Sequence, residues 1–323
     1  MNIKLSAVLA ASVVSLAVPL VAVLPSPSAD AQTATPAQQS HTDSRAELYR
    51  RQLLAGKDVP CRTNASCAAL GVAALEAGRV EDAQTLVATE SALAEANALQ
   101  ADESDSPKAA SSARSRMAMA LVHQGDVQLK LGAWSNARAY YRTAIARGDD
   151  YPHDALLGRA VAAARERLES IAHKEVVTGL PAEGARFRRH MFFGAWESVD
   201  VKPVKGRHGV YRIDGDFVYP MIDAHGEPSA NLGELSATVR FFDGVARVPM
   251  THPSGATSGA APIDATTKIS NLAPYDQHDD QCLIEFSLVA PETLDVRTHG
   301  SPQACGFGHN VSADGRYFLM TGS

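Results

Sequence analysis

Apolar positions recur at helical spacing through the first half of the chain and change to short extended runs in the second half. From about residue 44 to 175 the sequence is rich in Ala, Leu, Arg and Glu, with apolar residues three or four positions apart. That period predicts amphipathic helices. From Phe187 onward, short runs of Phe, Tyr, Val and Ile are separated by Gly, Asp and Pro, which predicts antiparallel strands. The pattern therefore predicts an α+β chain, with helical hairpins before a β domain.

A spacing of seven and then five residues occurs twice in the helical region, as Gly71, Gly78 and Ala83 and then as Gly125, Gly132 and Ala137. The repetition indicates two helical hairpins, and the second Gly of each set is expected at the turn, where a left-handed backbone is needed. We expect Ser135 or Asn136 to cap the second helix of the second hairpin. The acidic, Ser-rich stretch 101–112 is interpreted as an insertion between the units.

The residues around the second set resemble the degenerate pattern of the tetratricopeptide repeat, a helix-turn-helix unit of about 34 residues. The matching positions are Leu121, Trp134, Tyr141 and Ala144. The resemblance implies a concave surface that binds a protein or peptide partner, and we expect Gln124, Gln128 and Tyr140 to be presented there. A further amphipathic helix at about 153–173 is predicted to cover the last apolar face of the array.

Eight extended runs in the second half predict one small antiparallel β-barrel, closed or nearly closed, because closure removes exposed strand edges. Asp214-Gly215 and Asp314-Gly315 are expected at hairpin turns. The Pro/Gly/Ser-rich stretch 251–262 is expected to be a loop. A short basic run between the domains is interpreted as a solvated linker, with binding of an acidic partner or polymer as the alternative: Arg186, Arg188, Arg189 and His190.

The sequence Gly194-Ala195-Trp196 resembles the Gly-x-Trp element with which lipocalin-like barrels begin. In that family the Trp closes one end of the barrel, and an Arg from near the final strand packs across it. The resemblance implies barrel closure by Trp196 and Arg316; the alternative is that Trp196 is simply a core residue. The closing run 305–317 also resembles the end of small periplasmic barrel domains of the lysozyme-inhibitor type, although no inhibitory loop can be aligned.

The N-terminus has the features of an export signal. Lys4 precedes an apolar run from Leu5 to Leu24, and Ala29-Asp30-Ala31 has the small-x-small pattern that signal peptidase cuts after. A membrane anchor is the alternative, but Pro19 and the absence of a basic stop-transfer cluster disfavour it. We predict a periplasmic or secreted bacterial protein with no membrane span after cleavage. The predicted segments are a signal peptide at 1–31, a disordered leader at 32–43, helices at 44–175, a linker at 176–186 and a barrel at 187–323.

Four cysteines in an exported chain predict two disulfides. The spacing favours pairing of Cys61 with Cys67 and of Cys282 with Cys305. A zinc site is the alternative, with His278-x3-Cys282 and Cys305-x3-His309 as ligands. It is disfavoured because residues four apart on a strand lie about 13 Å apart, too far for one ion.

The net charge and the absence of known catalytic motifs exclude several classes of function. A formal net charge of −6 argues against a general binder of nucleic acid or anionic membranes, since both need a basic surface. The chain has no Gly-x-Ser-x-Gly elbow, no His-Glu-x-x-His helix and no phosphate-binding Gly loop. We therefore expect neither a cofactor nor a metal, and no enzymatic activity.

The expected function is that of an exported adaptor or binding protein. Its helices would recruit a protein or peptide partner in their groove, and its barrel would bind a second ligand or protein. One alternative is an inhibitor of a cell-wall-degrading enzyme that acts through the barrel. Another is a hydrolase that uses His278, Asp279 or Asp280. A short array could also complete its apolar surface by pairing with a second copy of the chain.

Overall fold

Six helices precede eight strands in the computed structural model, which describes residues 44–56, 58–251, 281–300 and 302–321. The helices are α1 (Arg45–Leu54), α2 (Asn64–Glu76), α3 (Val80–Glu103), α4 (Pro107–Lys130), α5 (Trp134–Asp149) and α6 (Ala155–Ser170). These described residues belong to one compact unit. The predicted α+β class is confirmed, while the predicted signal peptide and leader lie outside the described residues.

The repeated Gly-Gly-Ala interval has the same geometry in both hairpins. Gly78 and Gly132 each have φ of +75° and end the first helix of a pair, as their position predicts. The first Gly of each set lies against the next helix, and a Cβ on Gly71 would be only 2.8 Å from Cγ2 of Val87. Two glycines thus set the turn and the helix separation in each hairpin.

Replacing Gly125 with alanine is expected to lower the free energy of unfolding by about 1–3 kcal/mol, because the new methyl group would overlap the ring of Tyr141. Gly158 on α6 is the matched control, since a Cβ there meets nothing within 4 Å. Alanine at position 158 should stabilise the helix by roughly 0.5–1 kcal/mol. Urea unfolding of both variants measures the difference, and equal effects would contradict the close packing at Gly125.

The prediction that residues 101–112 form an insertion between the hairpins is wrong, because most of this stretch is helical. Helix α3 continues to Glu103 and α4 begins at Pro107, so the stretch lengthens both helices to 24 residues. Ser106 caps α4 by accepting a hydrogen bond from the Ala109 N–H, and Pro107 occupies a first-turn position that needs no N–H donor. These local signals favour a tight turn with helix on either side.

The strands form a single antiparallel sheet that is nearly closed into a barrel. They are β1 (Ala185–His190), β2 (Trp196–Pro203), β3 (Val210–Ile222), β4 (Pro228–Arg240), β5 (Val245–Thr251), β6 (Gln281–Ala290), β7 (Thr293–Gly300) and β8 (Gly315–Leu319). Their order in the sheet is β4-β3-β2-β1-β8-β7-β6-β5. First and last strands pair with each other, and the ends of the sheet are β4 and β5.

Two predictions about strands are wrong. The basic run at 186–190 is not a linker but part of β1, because it pairs with β2 on one side and with β8 on the other. Asp214-Gly215 is not a turn but lies within β3, paired with both β2 and β4. There the Asp214 carboxylate accepts hydrogen bonds from Arg212 and from Ser236 on β4, which satisfies it without a turn.

The barrel core is apolar and includes a disulfide bond. Phe187, Phe217, Ile284, Phe286 and Leu294 are buried together at its centre. Both predicted disulfides are confirmed: Cys61–Cys67 lies beside α2, and Cys282–Cys305 joins β6 to a short 3-10 helix at Pro302–Cys305. Disulfides of this kind persist in an oxidising, extracytoplasmic environment.

None of the described helices combines the length and the apolar composition that crossing a membrane requires.

Candidate ligand-binding cleft

The outer surface of the β1–β2 hairpin faces the helices. In the antiparallel register His190 lies opposite Trp196, and Arg188 lies opposite Ser198. Alternate residues of a strand share one face, so His190 and Arg188 lie on the side opposite to the buried Phe187. The ring of Trp196 meets Tyr140 of α5 edge to face, with centroids 5.5 Å apart. The barrel and the helices therefore meet along this hairpin.

A cleft of about 670 Å³ runs between the hairpin and helices α3, α4 and α5. It is lined by two of the predicted partner-binding residues, Gln128 and Tyr140, and by Arg188. The neighbouring Arg186 is bound to Asp200 through two hydrogen bonds of 2.6 and 2.8 Å. The Arg188 side chain, in contrast, makes no hydrogen bond or ion pair with any residue that the structure describes. Its guanidinium group is therefore available to an anionic group of a ligand.

A smaller cavity of about 240 Å³ adjoins this cleft and shares Tyr140 with it. The third predicted partner-binding residue, Gln124, and the predicted barrel-closing Trp196 both line it. The structure thus brings together residues that were predicted separately for the helices and for the barrel. Helices α3, α4 and α5 thus face the barrel of the same chain along the cleft and the smaller cavity.

Two ionisable side chains are buried beside the smaller cavity. Oε1 of Glu95 on α3 lies 3.5 Å from Nε2 of His190 on β1, and the side chains are 4% and 10% exposed. Backbone N–H groups of Phe193 and Gly194 lie near the Glu95 carboxylate and lower its pKa. Within the described part of the chain, Oε1 of Glu95 and Nδ1 of His190 have no hydrogen-bond partner.

Burial opposes charge on both groups of this pair. Burial raises the pKa of Glu95 to about 7, although the Gly194 N–H and the Arg147 guanidinium partly counteract it. Burial, and then the charge of Arg147, lower the pKa of His190 to about 3. The two side chains are close enough for an ion pair, yet they face each other as a neutral imidazole and a carboxyl that is half protonated near pH 7.

A buried ion pair holds the helices against the barrel. Glu292, in the turn between β6 and β7, accepts two hydrogen bonds of 2.5 Å from Arg138 of α5, and its carboxylate also lies 3.3 Å from Arg142. The Glu292 side chain is fully buried and that of Arg138 is 2% exposed. Burial raises the pKa of Glu292, but the hydrogen bonds from Arg138 and Ser135 outweigh it and the net shift is downward.

The expectation that Ser135 or Asn136 caps α5 is wrong. The cap position is Ala133, and no side chain accepts a hydrogen bond there. Ser135 instead donates to Glu292, and Asn136 exchanges hydrogen bonds with the backbone of Thr321. The residue types favoured at helix caps are used here to dock the helix on the barrel.

Trp196 and Arg316, the residues predicted to close the barrel together, each contact other residues. Trp196 begins β2, and its ring contacts His190 as well as Tyr140. Arg316 on β8 is exposed and lies 3.4 Å from Asp149 at the end of α5. Inside the barrel it is Arg189 that lies over an aromatic ring, that of Tyr317, at 5.1 Å.

The buried carboxylates between the helices and the barrel, Glu95 and Glu292, were missed from sequence, although one signal existed. Glu95 falls on the same helical stripe as Ala92 and Leu99, where the period favours an apolar residue. A carboxylate at such a position indicates a buried polar contact. Glu292 gave no comparable signal, because it follows Pro291 in what the sequence presents as an ordinary turn.

The sequence left two alternative sites, a zinc site and a hydrolase site. Cys282 and Cys305 are bonded to each other, so the zinc alternative is wrong for these two cysteines. His278, Asp279 and Asp280 lie outside the described residues. Among the residues that are described, no group of three or more His, Cys, Asp and Glu side chains is arranged to hold a metal ion.

The segment that resembles the lysozyme-inhibitor type, 305–317, packs into the barrel through Phe307, Val311 and Ala313. Comparison with protein-family models, with curated proteins and with solved structures finds no match to this chain.

Proposed function

We propose that the protein is an exported, non-enzymatic binding protein that recruits a protein partner through an extended segment held in the 670 Å³ cleft. In this proposal the helical part is a tetratricopeptide-like array and the barrel, of lipocalin-like or lysozyme-inhibitor-like type, supplies the opposite wall. The apolar N-terminal run and the two disulfides support a periplasmic or secreted location.

One observation carries the proposal. Gln128 and Tyr140 line the cleft together with Arg188, whose guanidinium has no partner among the described residues. Amide and hydroxyl groups bind peptide backbone, and arginine binds carboxylates in a bidentate manner. The arrangement favours a peptide with an acidic side chain or a free C-terminal carboxylate.

The test uses residues 32–323 and immobilised libraries of ten-residue peptides, one acidic with free C-termini and the other neutral and amidated. We expect retention of the acidic set. Arg188→Gln should weaken binding of the best peptide at least tenfold, the loss of one charge-assisted contact worth roughly 1.5–3 kcal/mol. Gln128→Ala should weaken it less.

Arg159→Gln is the matched control, since it removes the same charge from an exposed position on α6. It should leave the affinity unchanged. Retention of neither library, or equal losses in the two arginine variants, would show that the cleft does not bind acidic peptides.

A further inference from the structure

The smaller cavity holds polar atoms that the fold leaves unsatisfied. Glu95 and His190 are both at least nine-tenths buried and line the cavity, and each has one polar atom without a hydrogen-bond partner in the described structure. Buried polar groups in folded proteins are almost always hydrogen-bonded. Two unsatisfied groups beside one cavity indicate that a ligand completes them.

The other walls of this cavity are mainly aromatic. Tyr140 and Trp196 meet at 90°, and Tyr49 and Phe193 meet at 85° with centroids 5.4 Å apart. Gln124 adds an amide at the same cavity. Aromatic rings offer flat apolar faces, and the Tyr and Trp rings also carry a polar group. The lining suits a compact molecule that has apolar faces and polar edges.

The electrostatics of the cavity disfavour a charged ligand. Burial raises the pKa of Glu95 and lowers that of His190, so the surroundings oppose charge of either sign. The nearby cation, Arg147, donates to the backbone carbonyls of His190 and Met191. Neutral hydroxyl groups can both donate and accept, and they therefore satisfy either protonation state of Glu95 and either tautomer of His190.

The volume limits the ligand to a molecule smaller than a typical drug. Drug-sized ligands occupy pockets of about 300–1,000 Å³, whereas this cavity measures about 240 Å³. From the unsatisfied pair, the aromatic walls and the size, we propose that this cavity is a binding site for a small neutral polyhydroxylated molecule, of the size of one sugar ring.

This site is distinct from the peptide cleft in ligand and in chemistry. The peptide proposal depends on the charge of Arg188, which does not line the smaller cavity. The variant Arg188→Gln should therefore weaken peptide binding at least tenfold and leave sugar binding intact. Failure of one proposal leaves the other standing.

Trp196 provides a direct readout. The chain has two tryptophans, so a Trp134→Phe background makes the fluorescence report on the cavity alone. Titration with glucose and with N-acetylglucosamine should give a saturable change at low millimolar concentration with at least one of them. Tetramethylammonium and acetate serve as charged probes of similar size, and neither should give a saturable change.

Substitutions at Glu95 separate a neutral ligand from a cation. Glu95→Gln keeps the shape and hydrogen bonding of the side chain, so it should change the sugar affinity by less than about threefold. Glu95→Leu removes the hydrogen bonds and should weaken binding more than tenfold. If circular dichroism shows that Glu95→Leu does not fold, Gln124→Leu, at the edge of the same cavity, takes its place with the same expected loss.

Two results would overturn the proposal. One is the absence of any response to the sugars in a protein that melts cooperatively. The other is a saturable response to tetramethylammonium that Glu95→Gln abolishes, since the site would then recognise a cation through the carboxylate charge.

Discussion

Replacing Glu292 with alanine is expected to lower the free energy of unfolding by about 3–5 kcal/mol, among the largest effects of any single substitution in this chain. The change leaves the buried Arg138 guanidinium without its carboxylate, and it removes the acceptor of the Ser135 hydroxyl. Burying an uncompensated charge costs more than the loss of the contact itself. Urea unfolding followed by circular dichroism measures the loss.

The ion pair between Arg316 and Asp149 is the matched control, because it also joins α5 to the barrel but lies in solvent, with side chains 58% and 56% exposed. Asp149→Ala should cost less than about 1 kcal/mol. The double variant Arg138→Met, Glu292→Met should be more stable than Glu292→Ala, since no buried charge is left unpaired. Equal stability of Glu292→Ala and Asp149→Ala would contradict the role assigned to the buried pair.

The second large effect is a dependence of stability on pH that originates at Glu95. Its pKa is about 7 in the folded protein against 4.5 for the free side chain. A raised carboxyl pKa stabilises the fold below pH 4.5, and this contribution is lost as pH rises to 7. Relative to Glu95→Gln, the wild-type protein should therefore lose roughly 3 kcal/mol between pH 4.5 and 7.

His190 contributes with the opposite sign. Its pKa falls from 6.5 to about 3 on folding, so its contribution is present above pH 6.5 and is lost as pH falls towards 3. In the wild-type protein the two terms oppose each other between pH 4.5 and 6.5, and stability should change little there. The His190→Gln variant should instead lose stability steadily as pH rises from 4.5 to 7.

The groups that face Glu95 from neighbouring elements are Tyr49 on α1, Arg147 on α5 and His190 on β1. Glu81→Gln, at an exposed position on the same helix as Glu95, is the control and should follow the wild-type curve. Denaturation midpoints measured from pH 3 to 8 test the prediction. A Glu95→Gln curve parallel to that of the wild type would rule out the raised carboxyl pKa.

Features that depend on neighbouring residues were predicted from the sequence. The helical period and the repeated Gly-Gly-Ala interval indicated the hairpins, and a close pair of cysteines indicated the first disulfide, because each involves residues near one another in the chain. Local sequence gave the wrong prediction at Asp214-Gly215, a dipeptide typical of turns that lies within β3. Pairing with strands on both sides keeps it extended, and that pairing is not visible locally.

The contacts between the helices and the barrel join distant segments of the chain. Glu95 meets His190, and Arg138 meets Glu292, 154 residues further along the chain. Local patterns along the chain were sufficient for the α+β class, the placement of helices before strands and the pairing of Cys61 with Cys67, because helix period, strand alternation and close cysteine spacing are short-range properties. With four cysteines in two groups, the pairing of Cys282 with Cys305 followed from the first pair. Packing of the barrel on the helical face brought Gln124, Tyr140 and Trp196 to one cavity and buried its charges, since burial and pKa depend on which surfaces meet.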